Sequence, residues 1–360
     1  MQNFVLGEAA RAYRNVPPRG SGFRLLRGWQ TGRSWPLRCP MPGIWERYAR
    51  VMAVLGAQAA STFESLRPHL MSVAYRLTGT VADAEDIVQE AWLRWDAAPG
   101  RDDVADLRAW LTTVVSRLGL DKLRSAARRR ETYTGHWLPE PVVTGLGDAG
   151  GADPLSAVVA AEDARFAVMV VLERLSPDQR VAFVLHDGFA MPFAEVAGVI
   201  GASEAAARQL ASRARKAVAA APPPQPDPTH NEVVGRLMAA MASGDLHSVV
   251  SLLHPDVTFT GDANGRAPTA ARVICGADKV ARFMLGLARR YGPAFYTANQ
   301  LALVNGELGS YTLGTAGDGG HWAMLPRITA MTVRDGKVCA LWDIANPDKF
   351  SGSPLRDLVG

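Results

Sequence analysis

The chain has 360 residues, of which 48% are apolar, enough for two or three domains with buried cores. Its net charge of +4 is mild but uneven: residues 1–60 hold nine arginines, no lysine and only Glu8 and Glu46, a local +7 that leaves −3 for the remainder. A uniformly basic coat is thereby excluded, so any nucleic-acid contact must come from local patches.

No apolar run is long enough to span a bilayer. Cys39, Cys275 and Cys339 stand far apart without CxxC or metal spacing, which reads as a reducing, cytoplasmic setting with no metal. Residues 1–60, rich in Arg, Pro, Gly and Trp, lack a sustained period and read as a disordered basic leader. Met41 and Met52 leave an upstream start as a further reading of that segment.

A region 61–130 reads as helical. In "FESLRPHLMSVAYRLTG" the apolar residues Phe63, Leu66, Leu70, Val73, Ala74 and Leu77 recur at helical spacing, and Gly79 ends the run. The next segment, "TVADAEDIVQEAWLRW", puts Ile87, Val88, Ala91, Trp92 and Trp95 inside and Asp83, Asp86 and Glu90 on one outer face. First-turn acids suit a helix dipole, but Gln89 and Glu90 lie too deep for that account. After the polar stretch "AAPGRDDVAD" comes "LRAWLTTVVSRLGLDKLRSAARRR". Its second half carries Arg117, Lys122, Arg124, Arg128, Arg129 and Arg130 against Asp121, a cation run suited to phosphates.

Residues 131–160 form a Gly-, Pro- and Asp-rich linker around "HWLPEP", where a large aromatic between prolines asks for a surface to bury against. Residues 161–221 are helical again. Ser176 and Pro177 open one helix, and "FAEVAGVIGASEAAARQLASRARKAV" makes two more around Gly201. In the last of these Ala207, Leu210, Ala211, Ala214 and Val218 face inward. Ser203, Glu204, Arg208, Gln209, Ser212 and Arg213 stay outside, the division a recognition helix needs.

The proline-rich hinge 222–229 leads to residues 230–345, where one or two helices, a strand, another helix and four strand-like runs suggest an α+β plan. The runs are Phe295–Val304, Glu307–Leu313, Trp322–Val333 and Lys337–Ile344, with turns at Asn305-Gly306, Asp318-Gly319 and Asp335-Gly336.

The order of parts from Thr62 to Ala220 resembles the extracytoplasmic-function sigma factors of bacterial RNA polymerase. "DAEDIVQEAWLRW" is similar to their region 2.2, "DLRAWLTTVVSRLGLDKLRS" to regions 2.3 and 2.4, and the segment from Leu175 to Val218 to region 4. The tail resembles the SnoaL-like cone fold. The fusion, with "WLPEP" at 137–141 and "NPDKF" at 346–350, points to the subgroup carrying such a domain. That subgroup's DGGGK-like motif appears here as "DANGR", Asp262 to Arg266.

The resemblance implies two all-α sigma domains, a region 2 bundle and a region 4 helix-turn-helix, plus a C-terminal α+β cone domain and a tail at 346–360. It implies core RNA polymerase, through its beta and beta-prime subunits, and promoter DNA as partners, a monomer when free, and no cofactor. Asp83, Asp86, Gln89 and Glu90 would meet the polymerase. Arg117, Lys122 and Arg124 would lie on the minus-10 element, near a loop at 97–106 that takes a flipped base. Ser203, Glu204, Arg208, Gln209, Ser212 and Arg213 would face minus-35 bases. Trp137, Pro139, Asp262, Asn346, Pro347, Asp348 and Lys349 would form the contacts through which the tail regulates the core in cis.

Two other readings are a helix-turn-helix regulator without polymerase binding and a SnoaL-type enzyme using Asp262, His321 or Asp343. No nucleophile–base pair or metal spacing supports catalysis, so no enzyme activity is expected, and a pocket for an unknown small ligand is a further reading of the C-terminal domain.

Overall fold

The structure, a computed structural model, describes residues 44–98, 104–130, 133–146, 158–159, 164–219, 221, 227–318 and 320–358, with the side chains of 44–59, 127–130 and 227–228 left aside. The leader before Ile44, residues 99–103 of the loop expected to take a base, and residues 222–226 of the hinge lie outside the described residues. Among the described residues, those up to Ala59 belong to a different unit from those from Ala60 on. In the first, the backbone is helical from Ile44, well before the expected start at Thr62. Residues 44–61 hold five alanines and two arginines, and those residues favour helix whatever the apolar period.

Three long helices run into and through the segment expected to form region 2: α1 (Ile44–Thr78), α2 (Val81–Ala97) and α3 (Leu107–Arg130). Gly79, at φ +78°, ends α1, and the Thr80 side chain caps α2 by accepting from the Asp83 N–H. Most of the expected inner stripe is buried, with Phe63, Leu70, Val73, Ala74 and Leu77 of α1 and Ile87, Val88, Ala91 and Trp95 of α2, while Leu66 and Trp92 are half-buried against it.

Region 4 has α4 (Phe166–Leu172), α5 (Pro177–Phe183) running into a π turn at Val184–Gly188, α6 (Phe193–Ile200) and α7 (Glu204–Val218). Ser176 and Gln179 form a full capping box on α5, and Ser203 caps α7. Gly201 takes the left-handed turn between α6 and α7 at φ +71°. The apolar faces of regions 2 and 4 merge into one core, from Phe63 and Leu111 through Met169 and Val181 to Ala211 and Ala214.

The C-terminal part opens with α8 (Asp227–Ser243) and α9 (Leu246–Leu252), so helix begins three residues before the expected boundary at His230. Then follow β2 (Leu253–Asp262), β3 (Ile274–Cys275), α10 (Ala277–Tyr291), a helical turn α11 (Ala294–Thr297), β4 (Gln300–Val304), β5 (Glu307–Thr312), β6 (Arg327–Arg334) and β7 (Lys337–Ile344). Two expected strands are shorter than read: Phe295 lies in α11 and Trp322 in a loop. Asn305-Gly306 and Asp335-Gly336 have positive φ at both residues, the type I′ geometry of two-residue hairpins.

With a strand β1 (Val143–Thr144) at its edge, the sheet has the order β1-β4-β5-β6-β7-β2-β3, with β2 parallel to β7. Its first strand comes from the linker and pairs with β4 through Val143–Val304 and Thr144–Leu303. The inner sheet face packs on α8, α9 and α10. The outer face is covered by Leu138 and Val143 of the linker, Phe166 and Ala167 of α4, and Phe350 and Leu355 of the tail.

Candidate polymerase and promoter surfaces and the buried linker

The outer face of α2 exposes Gln89 and leaves Asp86 70% exposed, while Glu90 holds Arg94 at 2.9 Å one turn on. Asp83 is different. Lys122 of α3 reaches it at 2.6 Å and Asp86 at 3.3 Å. Two residues read from the sequence as parts of different surfaces thus share one ion pair. Burial works against the Lys122 charge, yet its hydrogen bond to Asp83 and the charges of Asp83 and Asp86 prevail and raise its pKa.

Of the other two minus-10 candidates on α3, Arg117 is exposed and Arg124 donates to Asp178 of α5 at 3.0 Å. One of the phosphate-seeking groups of region 2 is therefore tied to region 4. Phe189 adds a second tie: it meets the His69 ring edge-on, 5.2 Å between centres, and lies under the Arg76 guanidinium. Burial first, then Arg108 and Arg76, lowers the His69 pKa to about 4.

The minus-35 candidates are all exposed along one side of α7. Ser203 accepts from the Ala206 N–H as the cap, and Arg208 pairs with Glu204 while lying 4.9 Å from the Phe193 ring centre. Buried Ala207, Ala211 and Ala214 hold the opposite side, so the helix presents one polar face.

The linker is where distant motifs meet. Leu138, Pro139, Glu140 and Pro141 are buried, and the prolines keep the segment extended. Asp262, wholly buried at the end of β2, accepts from the Leu138 N–H at 2.7 Å, from Lys349 Nζ at 2.6 Å and from the Tyr133 hydroxyl. Lys349 also donates to the Leu138 carbonyl and sits 3.6 Å from the Trp137 ring centre. Burial and the Asp262 carboxylate push the Tyr133 pKa far up.

Asn346 donates to Tyr133 Oη at 2.9 Å and caps the 3₁₀ turn Pro347–Lys349 that aims Lys349 inward. Despite its departure from the subgroup's glycines, "DANGR" docks. Asn264 accepts from the Thr134 N–H at 3.2 Å, and Arg266 pairs with Asp348 at 2.8 Å.

Sequence reasoning missed three further groups. Trp137 Nε1–H donates to Glu173, the C-cap of α4, at 3.1 Å; Glu173 also receives Arg180 at 2.6 Å, and Arg180 donates to the Arg76 carbonyl. The Glu140 carboxylate accepts the N–H groups of Val81 and Gly352 at 2.7 and 2.8 Å. Burial raises its pKa against the pull of those two bonds. Asn305, buried in the β4–β5 turn, accepts from the Val142 N–H at 3.0 Å and donates to Tyr75 Oη at 2.8 Å and the Ala164 carbonyl at 2.7 Å. One amide thus joins region 2, the linker and region 4. The only sequence signal was an Asn-Gly turn, and the "WLPEP" glutamate had been given no role.

The three acids and bases considered for catalysis do not converge. Asp262 is spent on the linker, His321 pairs with Asp318 at 2.9 Å, and Asp343 binds Thr269 at 2.6 Å and Arg327 at 3.2 Å. Asp343 stands opposite Gly261 across the β2–β7 ladder, so strand alternation turns Asp262 to the other face. No three His, Cys, Asp or Glu side chains among the described residues could hold a metal ion.

Residues 62–129 match the family Sigma-70 region 2, and residues 165–218 match Sigma-70, region 4. The ECF RNA polymerase sigma factor SigJ of Mycobacterium tuberculosis is 78% identical over 300 residues, covering 82% of this chain and 95% of that protein. The crystal structure of the extracytoplasmic function sigma factor SigJ of Mycobacterium tuberculosis aligns with a TM-score of 0.73 at 76% identity, over 82% of this chain and 99% of that one. The probable ECF RNA polymerase sigma factor SigI of Mycobacterium tuberculosis is 35% identical over 230 residues, covering 61% of this chain and 74% of that protein.

Regions 2 and 4 on one chain, each with its polar face outward, define a subunit that binds core RNA polymerase and directs it to promoter DNA. The chain belongs to the extracytoplasmic-function family of RNA polymerase sigma factors. It is a transcription initiation factor and not an enzyme, which sets aside the SnoaL-type enzyme and the polymerase-independent regulator.

Proposed function

We propose that the C-terminal domain regulates the sigma core in cis by holding regions 2 and 4 in a closed form. The observation that carries this reading is the pair of buried clasps, Asp262–Lys349–Trp137 and Asn305, which bind linker, region 2 and region 4 at once. The minus-35 and minus-10 elements lie roughly 25 base pairs apart, or about 85 Å at 3.4 Å per pair. Here α3 and α5 are joined by a 3.0 Å ion pair over a shared core. The two DNA surfaces therefore cannot engage one promoter until the clasps open.

In this reading the sigma domains are 61–130 and 161–221, with the C-terminal domain at 230–345 and its tail at 346–360. Asp86, Gln89 and Glu90 meet the beta-prime subunit, joined by Asp83 once Lys122 turns to DNA with Arg117 and Arg124. Region 4 reaches the beta subunit and reads minus-35 bases with Ser203, Glu204, Arg208, Gln209, Ser212 and Arg213. The free chain is a monomer. A small ligand would act at the junction cleft of about 230 Å³ lined by Tyr133, Trp137, Asn264, Asn346 and Lys349.

Runoff transcription with core RNA polymerase, on the promoter upstream of the chain's own gene, tests this. The form ending at residue 221 should transcribe more than the full chain at limiting core. Equal activity would remove the cis role; silence and no core binding from both would remove the residue assignments.

A further inference from the structure

Eight large apolar residues are exposed among the described residues, and three of them, Leu313, Trp322 and Leu325, belong to one loop of the C-terminal domain. The loop closes on itself through the bridges Thr315–Met324 and Asp318–His321. Trp322 is 58% exposed, so burial is not what holds it. Its backbone N–H donates to the Arg290 carbonyl at 3.0 Å, and the Arg290 guanidinium lies 4.3 Å from the ring centre. The neighbouring His321 ring fills the space beside Gly292, where a Cβ would come within 2.5 Å of it, and Asp318 fixes the imidazole. The indole is thus held in place while its surface stays wet.

The charge beside it is also unspent. The outer side of α10 exposes Lys279, Arg282, Arg289 and Arg290. Arg282 is neutralised by Asp278 at 2.8 Å; among the described residues Lys279, Arg289 and Arg290 pair with no acid. No step of promoter recognition by regions 2 and 4 uses this surface.

A fixed, exposed indole with an arginine on its face and free cations alongside suits a nucleic-acid strand whose bases stack while its phosphates are matched. The free positive charge favours a polyanion over an apolar partner. A sigma factor also works beside a melted strand whose bases are available for stacking. We propose that Trp322, Arg289 and Arg290 form a contact site for single-stranded DNA on the C-terminal domain, separate from regions 2 and 4.

The test is fluorescence anisotropy of a labelled 20-nucleotide oligo-dT titrated with the full chain at several salt concentrations. Trp322→Ala should weaken binding about 5-fold or more, the loss of one stacked base. The double variant Arg289→Ser/Arg290→Ser should lower the log–log salt slope by about 1.4, at roughly 0.7 per phosphate on a single strand. Arg236→Ser, an exposed residue of α8, should change neither. All positions are on the surface, and circular dichroism melts check that the fold is kept. Unchanged affinity and slope in the first two variants overturns the proposal, as does failure of the full chain to bind the oligonucleotide. Loss of core polymerase binding with oligonucleotide binding intact also overturns it and makes the surface a protein contact.

Discussion

Replacing Asn305 by glycine isolates one clasp from the rest of the fold. Glycine keeps the left-handed turn that Asn305 adopts at φ +51°, so the hairpin need not change. The amide's bonds to Val142, Tyr75 and Ala164 disappear. Tyr75 retains its bond to the Glu140 carbonyl at 2.8 Å, but the Val142 N–H and the Ala164 carbonyl each lose a buried partner. At about 1–3 kcal/mol per abandoned buried group the cost is roughly 2–6 kcal/mol, nearer the lower figure where water enters the vacated space.

Those contacts bind the domains to one another, so most of the loss falls on the closed form. About 2 kcal/mol is a roughly 30-fold shift toward open chains. Apparent affinity for core polymerase scales with the open fraction, so it should rise by up to that factor while the melting temperature falls a few degrees. Fluorescence titration against core enzyme and a thermal melt measure the two. A lower melting temperature without tighter core binding would refute the gating argument, and an unchanged melting temperature would show that these bonds carry no load.

Lys349→Met leaves the Asp262 carboxylate buried without its cation, which should cost about 3–5 kcal/mol in urea unfolding; adding Asp262→Asn should recover much of it in a double-mutant cycle. Arg208→Ala should weaken a minus-35 duplex by roughly 1–3 kcal/mol where the guanidinium reaches a guanine, leaving core binding unchanged; unaltered promoter preference would take it out of the readout. His69 titrates near 4 in the folded chain against an ordinary 6.5, so the unfolded chain binds more protons between those values. Its contribution to stability is present above 6.5 and lost as pH falls toward 4, and His69→Gln should flatten that part of the stability–pH curve.

What the sequence determined is what depends on near neighbours. The inner stripes of α1, α2 and α7 follow from apolar residues three and four apart, and the caps at Ser176 and Ser203 from side chains that bond three residues on. Motif order was likewise enough to show the sigma architecture. The outward faces of α2 and α7 follow from the same periodicity, because what is not buried must face water.

What only the tertiary structure decided is how those faces are used. Asn305 meets Tyr75 across 230 positions, Lys349 meets Leu138 across 211, and Lys122 finds Asp83 on another helix. Nothing local distinguishes Asn305 from any Asn-Gly hairpin, or Glu140 from a solvated linker acid. A buried polar group needs a partner wherever the chain can bring one. Which partner arrives is settled by how the domains pack, and periodicity along the chain carries no record of that.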